Sequence, residues 1–484
     1  MRIAHLKIGL FALFLVAPVA CLLLFGSVDS FGREQPDFPK LKQALSAKGR
    51  TQFGDAVLER SGAMKLAVKL YNWVGYRVVG FVATTLVISG KDDWLFYRPE
   101  FLDGACIDFD RVEVQFRQLR TLMDIAQASG LDMRVSISPN KSTIYPDALH
   151  PLVRGYWRCS VQNVAGLRRL FKKDVPGLID HAEPLLAEKA RHPDIPLYYT
   201  GDTHWTHYGG VIALRQLLAA IYPDLKVPEP RFSGAVITRP TDLTNSLQWP
   251  VEEQAGEVAA LPEDVLAQLK LRDAGVRTII THDSFYAQIA AQIRAAFPSA
   301  VIVRGHSDRA WYVSEIGAAD RLIVNMVERG LIKGIRDGIL SWDAAIPTAV
   351  LARSARLAED CSSFEEVNGD AGVAILLDPA NGAGTVAIRK VAPQRLPCLR
   401  ISVAASKPVF LDIALPDPAN GAFEAGRAIR YRISPGSQTI GVVLPSYVAG
   451  LQIRVERPAM PVTISKIEIG EIDRPANPAS EAQP

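Results

Sequence analysis

The 484-residue chain is poor in the residues that metal and redox chemistry need, with five cysteines, eight histidines and six methionines. No cysteine pair stands at CxxC spacing, and no cysteine–histidine set has the spacing of a zinc site, so neither a metal nor a bound cofactor is expected. A basic stripe interleaved with aromatics is also missing. The 54 basic residues face 51 acidic ones, a net charge of +3, and that balance argues against nucleic acid as a partner. There is no internal repeat. Mean hydropathy is only +0.10, and much of it comes from one segment at the start.

That segment is Ile8 to Gly26, which holds no charged residue and is about long enough to span a bilayer as a helix. Arg2 and Lys7 precede it, and the positive-inside rule keeps them in the cytoplasm. The reading is an uncleaved inner-membrane anchor with everything after residue 26 on the periplasmic side. The rivals are a cleaved signal peptide, a lipoprotein acylated at Cys21 and a buried core helix. Pro18-Val19-Ala20 matches the acylation motif poorly, and no small-x-small site is followed by a clean mature start. The extreme N-terminal position argues against a core helix.

Four cysteines lie beyond the anchor: Cys106, Cys159, Cys361 and Cys398. Four allow three pairings. In an exported compartment, where disulfides persist, two local bridges are expected, Cys106–Cys159 and Cys361–Cys398; the alternative is four buried thiols.

The length fits about three domains, and the chain after the anchor has two textures. From about Arg111 to Gly330 strands alternate with helices. Val112, Phe116, Leu119, Leu122, Met123 and Ala126 recur at helical spacing and Gly130 closes the run. Short apolar strands are expected at Met133–Ile137, Leu197–Tyr199, Arg277–Ile280, Ala300–Val303 and Arg321–Val327. Such alternation predicts a mostly parallel sheet flanked by helices, with chemistry at the carboxyl ends of the strands. After about Leu351, short segments of period two follow each other at close intervals, as in a β-sandwich or jelly roll. The expected divisions are an anchor (1–28), a helical linker region (29–84), an α/β domain (85–350), a β-sandwich (351–474) and a polar, disordered tail (475–484). Residues 56–83 read as a helix with Leu66, Leu70, Trp73 and Val74 on one side; the two readings are a helix at the membrane surface and a packed or linker helix, and Arg77 and the glycines favour the second.

Two short stretches carry the candidate chemistry. Gly201-Asp202-Thr203-His204-Trp205 sits between an expected strand and a helix. A carboxylate two residues from a histidine can reach its imidazole if the backbone turns sharply, fixing the tautomer and stabilising an imidazolium. Thr281-His282-Asp283-Ser284-Phe285-Tyr286 sits at a second strand-to-helix junction. There a serine hydroxyl lies near the positive end of a helix, and its own N–H can help bind an oxyanion. Taken singly, each is more plainly a helix N-cap; together, in one α/β domain, they read as a Ser284–His204–Asp202 triad. His207 stands three residues after His204, but no third ligand suggests a metal.

Four elements in order resemble the alginate O-acetyltransferase family, SGNH-hydrolase-like enzymes of exopolysaccharide acetylation. They are Gly90 to Tyr97, Pro139 to Pro146, Gly201 to Trp205 and Asp283-Ser284-Phe285, with Val327-Glu328-Arg329 matching a late strand end. The resemblance implies Ser284 as nucleophile, His204 as general base and Asp202 as its orienting carboxylate. It also implies a membrane O-acyltransferase partner that delivers acetyl groups, and a β-rich domain that binds carbohydrate. Two departures stand out: His282 where a glycine is common, and Asp93 in place of a glycine in the first element. Around the triad, Tyr286 is a candidate for lining an acceptor groove, Asn140 for donating to the oxyanion, and Lys141 for meeting an anionic sugar; the plainer readings are a packing residue, a loop cap and a solvated lysine. The function expected is an O-acetyltransferase acting on a secreted, alginate- or cellulose-like polysaccharide. An acetyl esterase with the same triad and a non-catalytic polysaccharide-binding scaffold are the alternatives.

Overall fold

The computed structural model describes residues 40, 46–60, 62–104, 107–156, 158–172, 175–247, 251–305, 308–366, 373–378, 383–388, 396–448, 450–455 and 462–472. The expected anchor, the tail from residue 475 and Cys106 lie outside these residues. Among the described residues no helix is long and apolar enough to cross a membrane.

Two antiparallel strands, β1 (Val87–Ser89) and β2 (Leu95–Tyr97), precede the main sheet. That sheet is built from β3 (Asp132–Ser138), β4 (Leu178–Asp180), β7 (Thr278–His282), β8 (Val301–Arg304) and β9 (Arg321–Val327). An antiparallel hairpin, β5 (Phe232–Pro240) and β6 (Glu252–Val258), stands apart from it. The sheet is parallel throughout, in the order β4-β3-β9-β7-β8. The chain moves outward from β3 to β4, later from β7 to β8, and returns to the centre with β9. The crevice at the carboxyl ends of β3, β9 and β7 is therefore where the winding direction changes, the usual place for a site in such sheets.

Strand pleating divides the core in two. Ile279, Leu322 and Val324 face one cluster with Val112, Phe116, Leu119 and Leu122 of the helix Phe109–Ala128. Ile280 and Ile323 face the other, with Leu214, Leu217 and Leu218 of the helix His207–Ile221. This alternation, with both faces buried, is what a helix-covered parallel sheet requires. Asp108 caps the first of these helices by accepting from Asp110 N at 3.2 Å, and Gly130 leaves it at φ 71°.

Four expected strands form with nearly the bounds read from their apolar runs; Leu197–Tyr199 does not. Tyr198 makes only an isolated bridge to Trp205. The segment is held by side chains instead: Leu197 N donates to Tyr145 Oη at 2.9 Å, and Tyr198 Oη donates to the Pro139 carbonyl at 2.7 Å. The fifth strand of the sheet is β4. Where one helix was expected over residues 56–83, the structure has the helices Ala47–Arg60 and Gly62–Val74 and a π-helical turn, Gly75–Val79.

The C-terminal part consists of two antiparallel sheets. Strands β10 (Ser362–Glu366), β18 (Val462–Ile472), β13 (Leu396–Ala405) and β16 (Gly436–Val443) make one. Strands β11 (Val373–Asp378), β12 (Ala383–Ile388), β17 (Leu451–Val455), β14 (Val409–Ala414) and β15 (Ala428–Ile433) make the other. Leu399, Ile401, Leu411, Ile413, Ile429 and Ile453 from both sheets join the cluster that also covers the parallel sheet. A buried ion pair ties the two parts: Arg427 donates to Asp124 at 2.9 Å, and Tyr447 Oη donates to the same carboxylate at 2.7 Å. Cys361 and Cys398 form a disulfide with Cα atoms 6.4 Å apart. Cys159 is itself disulfide-bonded.

Candidate active site

Asp202 and His204 meet through a tight turn. A single carboxylate oxygen, Asp202 Oδ1, accepts the His204 backbone N–H at 2.9 Å and Nδ1 at 2.7 Å. The two-residue spacing thus works by folding the chain back on the carboxylate. Asp202 Oδ2 accepts from Arg239 at 3.0 Å and from Asp242 N at 3.1 Å. Asp202 is wholly buried. Burial alone would raise its pKa, but the hydrogen bond and charge of His204, reinforced by Arg239, hold it down to about 2. A carboxylate at Nδ1 puts the ring proton there and leaves Nε2 with a lone pair, the state a general base needs.

His204 Nε2 is buried with no hydrogen-bond partner. Among the described residues no hydrogen bond links it to Ser284 Oγ. The neighbourhood is nonetheless shared. The His204 ring lies 5.0 Å from the Phe285 ring, and Trp205 Nε1 donates to the Phe285 carbonyl at 3.0 Å. Ser284 itself is partly exposed and opens the short helix Ser284–Ala287, capped by Asp283, which accepts from Phe285 N at 2.8 Å.

The segment after β3 closes the far side of the crevice. Asn140 is buried; its N–H donates to Glu328 at 2.9 Å, and its Oδ1 accepts from Arg329 at 3.1 Å. Arg329 fixes the amide so that Nδ2 is the end left over, and Nδ2 has no hydrogen bond among the described residues. The guanidinium also stands 4.8 Å from the Tyr97 ring centre and 5.8 Å from that of Phe285. Glu328 and Arg329 were noted in the sequence only as part of a strand-end match, without a role.

Two candidate contacts are corrected by the structure. Tyr286 does not line a groove. It is fully buried, and its hydroxyl lies 2.6 Å from Ser136 Oγ and 3.3 Å from His181 Nε2. On a helical turn, residue i+2 points about 200° away from residue i, so a tyrosine two places after an outward serine faces the sheet. Lys141 does not meet a sugar, nor is it solvated. It is fully buried, and its ammonium donates to the carbonyls of Leu95 (2.6 Å), Thr200 (2.7 Å) and Asp202 (3.0 Å). Burial lowers its pKa to about 8, against the pull of Glu100 and other nearby carboxylates.

Lys141 is thus a clamp on the turn that holds the Asp202–His204 pair. Lys141→Met keeps the length of the side chain but leaves three buried carbonyls without this donor. We expect a loss of roughly 3 kcal/mol in urea unfolding. A variant within 0.5 kcal/mol of the parent, on the order of an ordinary surface change, would remove the clamp from the argument.

Sequence reasoning missed the β5–β6 hairpin, which supplies the second support. Glu253 accepts from Thr200 N and Thr200 Oγ1, each at 2.8 Å, and from Gly201 N. Arg239, from the other strand, reaches Asp202 and Gln288. A cavity of about 360 Å³ lies under the hairpin, lined by Tyr199, Trp205, His207, Arg239 and Gln288 among others. Asp202, His204 and Asp242 bring ligand-type atoms within 4.8 Å of one another. Four donors, one of them the Arg239 cation, already occupy the Asp202 oxygens, so this group is a poor cation cradle.

Behind Tyr286 lies a buried polar knot with its own pH signature. Gln216 Nε2 donates to the Asp180 carbonyl at 3.0 Å, so its Oε1 faces His181 Nδ1 at 2.6 Å and places the proton there. Nε2 then accepts from Ser136 or Tyr286. Burial pushes the His181 pKa down to about 4 from an ordinary 6.5. The unfolded chain takes up this proton first, so the contribution is complete above pH 6.5 and is lost as pH falls toward 4. Unfolding curves should show the parent losing roughly 3 kcal/mol more than His181→Gln over that window. Parallel pH profiles for the two proteins would contradict it.

A parallel sheet with a carboxylate–histidine pair and a serine turn at its carboxyl edge is the layout of an SGNH-like α/β domain. Residues 87–270 match the family model described as the SGNH hydrolase-like domain of the acetyltransferase AlgX. The match takes in Asn140, Asp202 and His204 and ends before Ser284. The chain is 29% identical over 130 residues to the alginate biosynthesis protein AlgX of Pseudomonas syringae pv. tomato, covering 26% of this chain and 25% of that one. It is 29% identical over 132 residues to the AlgX of Azotobacter vinelandii, covering 27% and 26%. The matched stretch thus spans about a quarter of these curated relatives. The solved structure of Pseudomonas aeruginosa AlgX aligns with a TM-score of 0.36 at 16% identity, covering 79% of this chain and 93% of that one. Over residues 87–270 the chain is thus similar to the SGNH hydrolase-like domain of AlgX.

Proposed function

We propose that the chain is an O-acetyltransferase that moves an acetyl group through an acyl-Ser284 onto hydroxyls of a secreted polysaccharide. The observation that carries the reading is the buried His204 Nε2, without a hydrogen-bond partner among the described residues, its tautomer fixed by Asp202 and its ring 5.0 Å from that of Phe285, the residue after Ser284. A buried acceptor without a donor costs about 1–3 kcal/mol, and such groups persist where a reaction uses them.

In this reading a side-chain rotation brings Ser284 Oγ to Nε2. His204 takes the hydroxyl proton as Oγ attacks the acetyl carbonyl of a donor ester. The tetrahedral oxyanion is met by the Ser284 N–H and Asn140 Nδ2, held in place by Arg329. Collapse expels the donor alkoxide, which leaves with the proton from His204. The sugar hydroxyl then gives its proton to the same nitrogen and attacks the acyl-serine, and collapse expels Ser284 Oγ, which takes that proton back from His204. No metal or cofactor enters any step. Residues 8–26 would anchor the chain in the inner membrane, with the site in the periplasm beside a membrane O-acyltransferase that supplies acetyl groups. The β-rich C-terminal part would bind the polymer.

The full chain in detergent, given an activated acetyl ester and uronate or glucan oligosaccharides, should yield acetylated sugar and release acetate to water only slowly. Fast deacetylation of acetylated polymer with no sugar product would replace this reading by the esterase. Neither reaction, in a folded chain that still binds polymer, would favour a scaffold.

A further inference from the structure

The helix Gly62–Val74 is inverted with respect to the protein beneath it. Among its side chains whose burial is described, Asn72 is the buried one, donating from Nδ2 to the Leu247 carbonyl at 3.1 Å. On the far side, Leu66 is 67% exposed, Leu70 58% and Trp73 49%, with Val74 beside them. Tyr71 is exposed on another side of the helix, and Val78 and Val79 of the following π-helical turn are exposed as well. A soluble helix turns its apolar stripe inward; this one presents it to the outside, in a patch larger than scattered surface residues would make.

We propose that this face lies in the interfacial layer of a lipid bilayer containing anionic lipid. Three observations select that occupant. The face carries Trp73, a ring type that settles at a bilayer–water boundary. Residues 47–79 hold six basic residues (Lys48, Arg50, Arg60, Lys65, Lys69 and Arg77) against two acidic ones, Asp55 and Glu59, and Lys69 is exposed on the helix itself; that sign is the one drawn to an anionic surface. The uncharged apolar run Ile8–Gly26 stands upstream in the same chain, so a bilayer is the continuous apolar phase closest at hand.

The placement reaches the site. Leu243, within the helix Asp242–Ser246, and Leu247, at its C-terminal end, pack with Val82, Val87 and Leu95. Asp242 N, at the start of that helix, donates to Asp202. The helix lying on the bilayer would therefore hold the Asp202–His204 pair one short platform from the lipid surface.

The test uses the full chain in nanodiscs of phosphatidylethanolamine and phosphatidylglycerol, with or without brominated acyl chains. Trp73 emission is taken as the difference between the parent and Trp73→Phe. Brominated lipid should quench that emission about twofold or more, and aqueous acrylamide should quench it weakly, as for a ring at the headgroup–acyl boundary. Leu70→Glu, at an exposed position, should keep the circular dichroism of the parent and lose the lipid quenching. Strong acrylamide quenching without lipid quenching would place the face in water and overturn the proposal. Quenching by neither would show the face covered by protein, this chain's own apolar run or a partner, and would overturn it equally.

Discussion

Ser284→Ala should lower acetyl transfer by roughly 10⁴-fold or more while leaving the fold intact. Ser284 is partly exposed, and its backbone rather than its hydroxyl forms the capped turn, since Asp283 supplies the cap to Phe285 N. Removing Oγ deletes no structural hydrogen bond seen among the described residues. Stability should therefore change by no more than about 0.5 kcal/mol, separating a chemical role from a structural one. The assay is acetylated oligosaccharide formed per minute by the folded variant, together with trapping of the acyl-enzyme by mass spectrometry. The parent should gain one acetyl group on the peptide containing Ser284. If the variant transfers acetyl within tenfold of the parent, Ser284 is not the nucleophile, and the two junctions revert to helix caps.

How much of this was readable beforehand depends on how local the cause is. β9 was placed at its observed bounds because a strand with a central apolar run, Leu322–Val324, and Met326 and Val327 after it has a local signature. β4 escaped because three residues, Leu178–Asp180, carry no period. The β5–β6 hairpin escaped because most of β5 is exposed, so its sequence shows no inward and outward alternation. The Asp202–His204 pair was legible, since its reach depends on two residues of backbone. Its supports were not. Arg239, Glu253 and Lys141 act on it from 37, 51 and 61 residues away in sequence, counting to Asp202 from Arg239, Glu253 and Lys141. Lys141 ran against the prior for lysine because three carbonyls from separate segments converge on it, a property of the fold and not of any window. Tyr286 is different: helical geometry alone turns it away from Ser284, and that reasoning was open from the start.

Asp202→Asn carries the second large effect, and its direction follows from the four donors around the side chain. Oδ2 accepts from Arg239 and from Asp242 N, neither of which can turn into an acceptor. The amide oxygen of asparagine is drawn to that side, and its NH₂ must then face His204. There it meets the backbone N–H of His204 and whichever proton Nδ1 carries. The ring's escape is to move its proton to Nε2, so that Nδ1 accepts from the amide. His204 is then a donor toward Ser284 and has lost the lone pair that takes the serine proton. Transfer should fall by roughly 10⁴-fold, as expected when a triad histidine is held in the wrong tautomer. The parent's Asp202, held down to about 2, stays ionised through the working range. Its share of stability is complete above pH 3.8 and lost only as pH falls toward 2, so the parent's rate should not track this carboxylate between pH 5 and 8, on the order of where stability is maximal. Nitrogen-15 spectra of the histidines should show the His204 proton on Nδ1 in the parent and on Nε2 in the variant. A variant that keeps the parent's tautomer and rate would mean that Asp202 only braces the turn, leaving some other group to prepare His204.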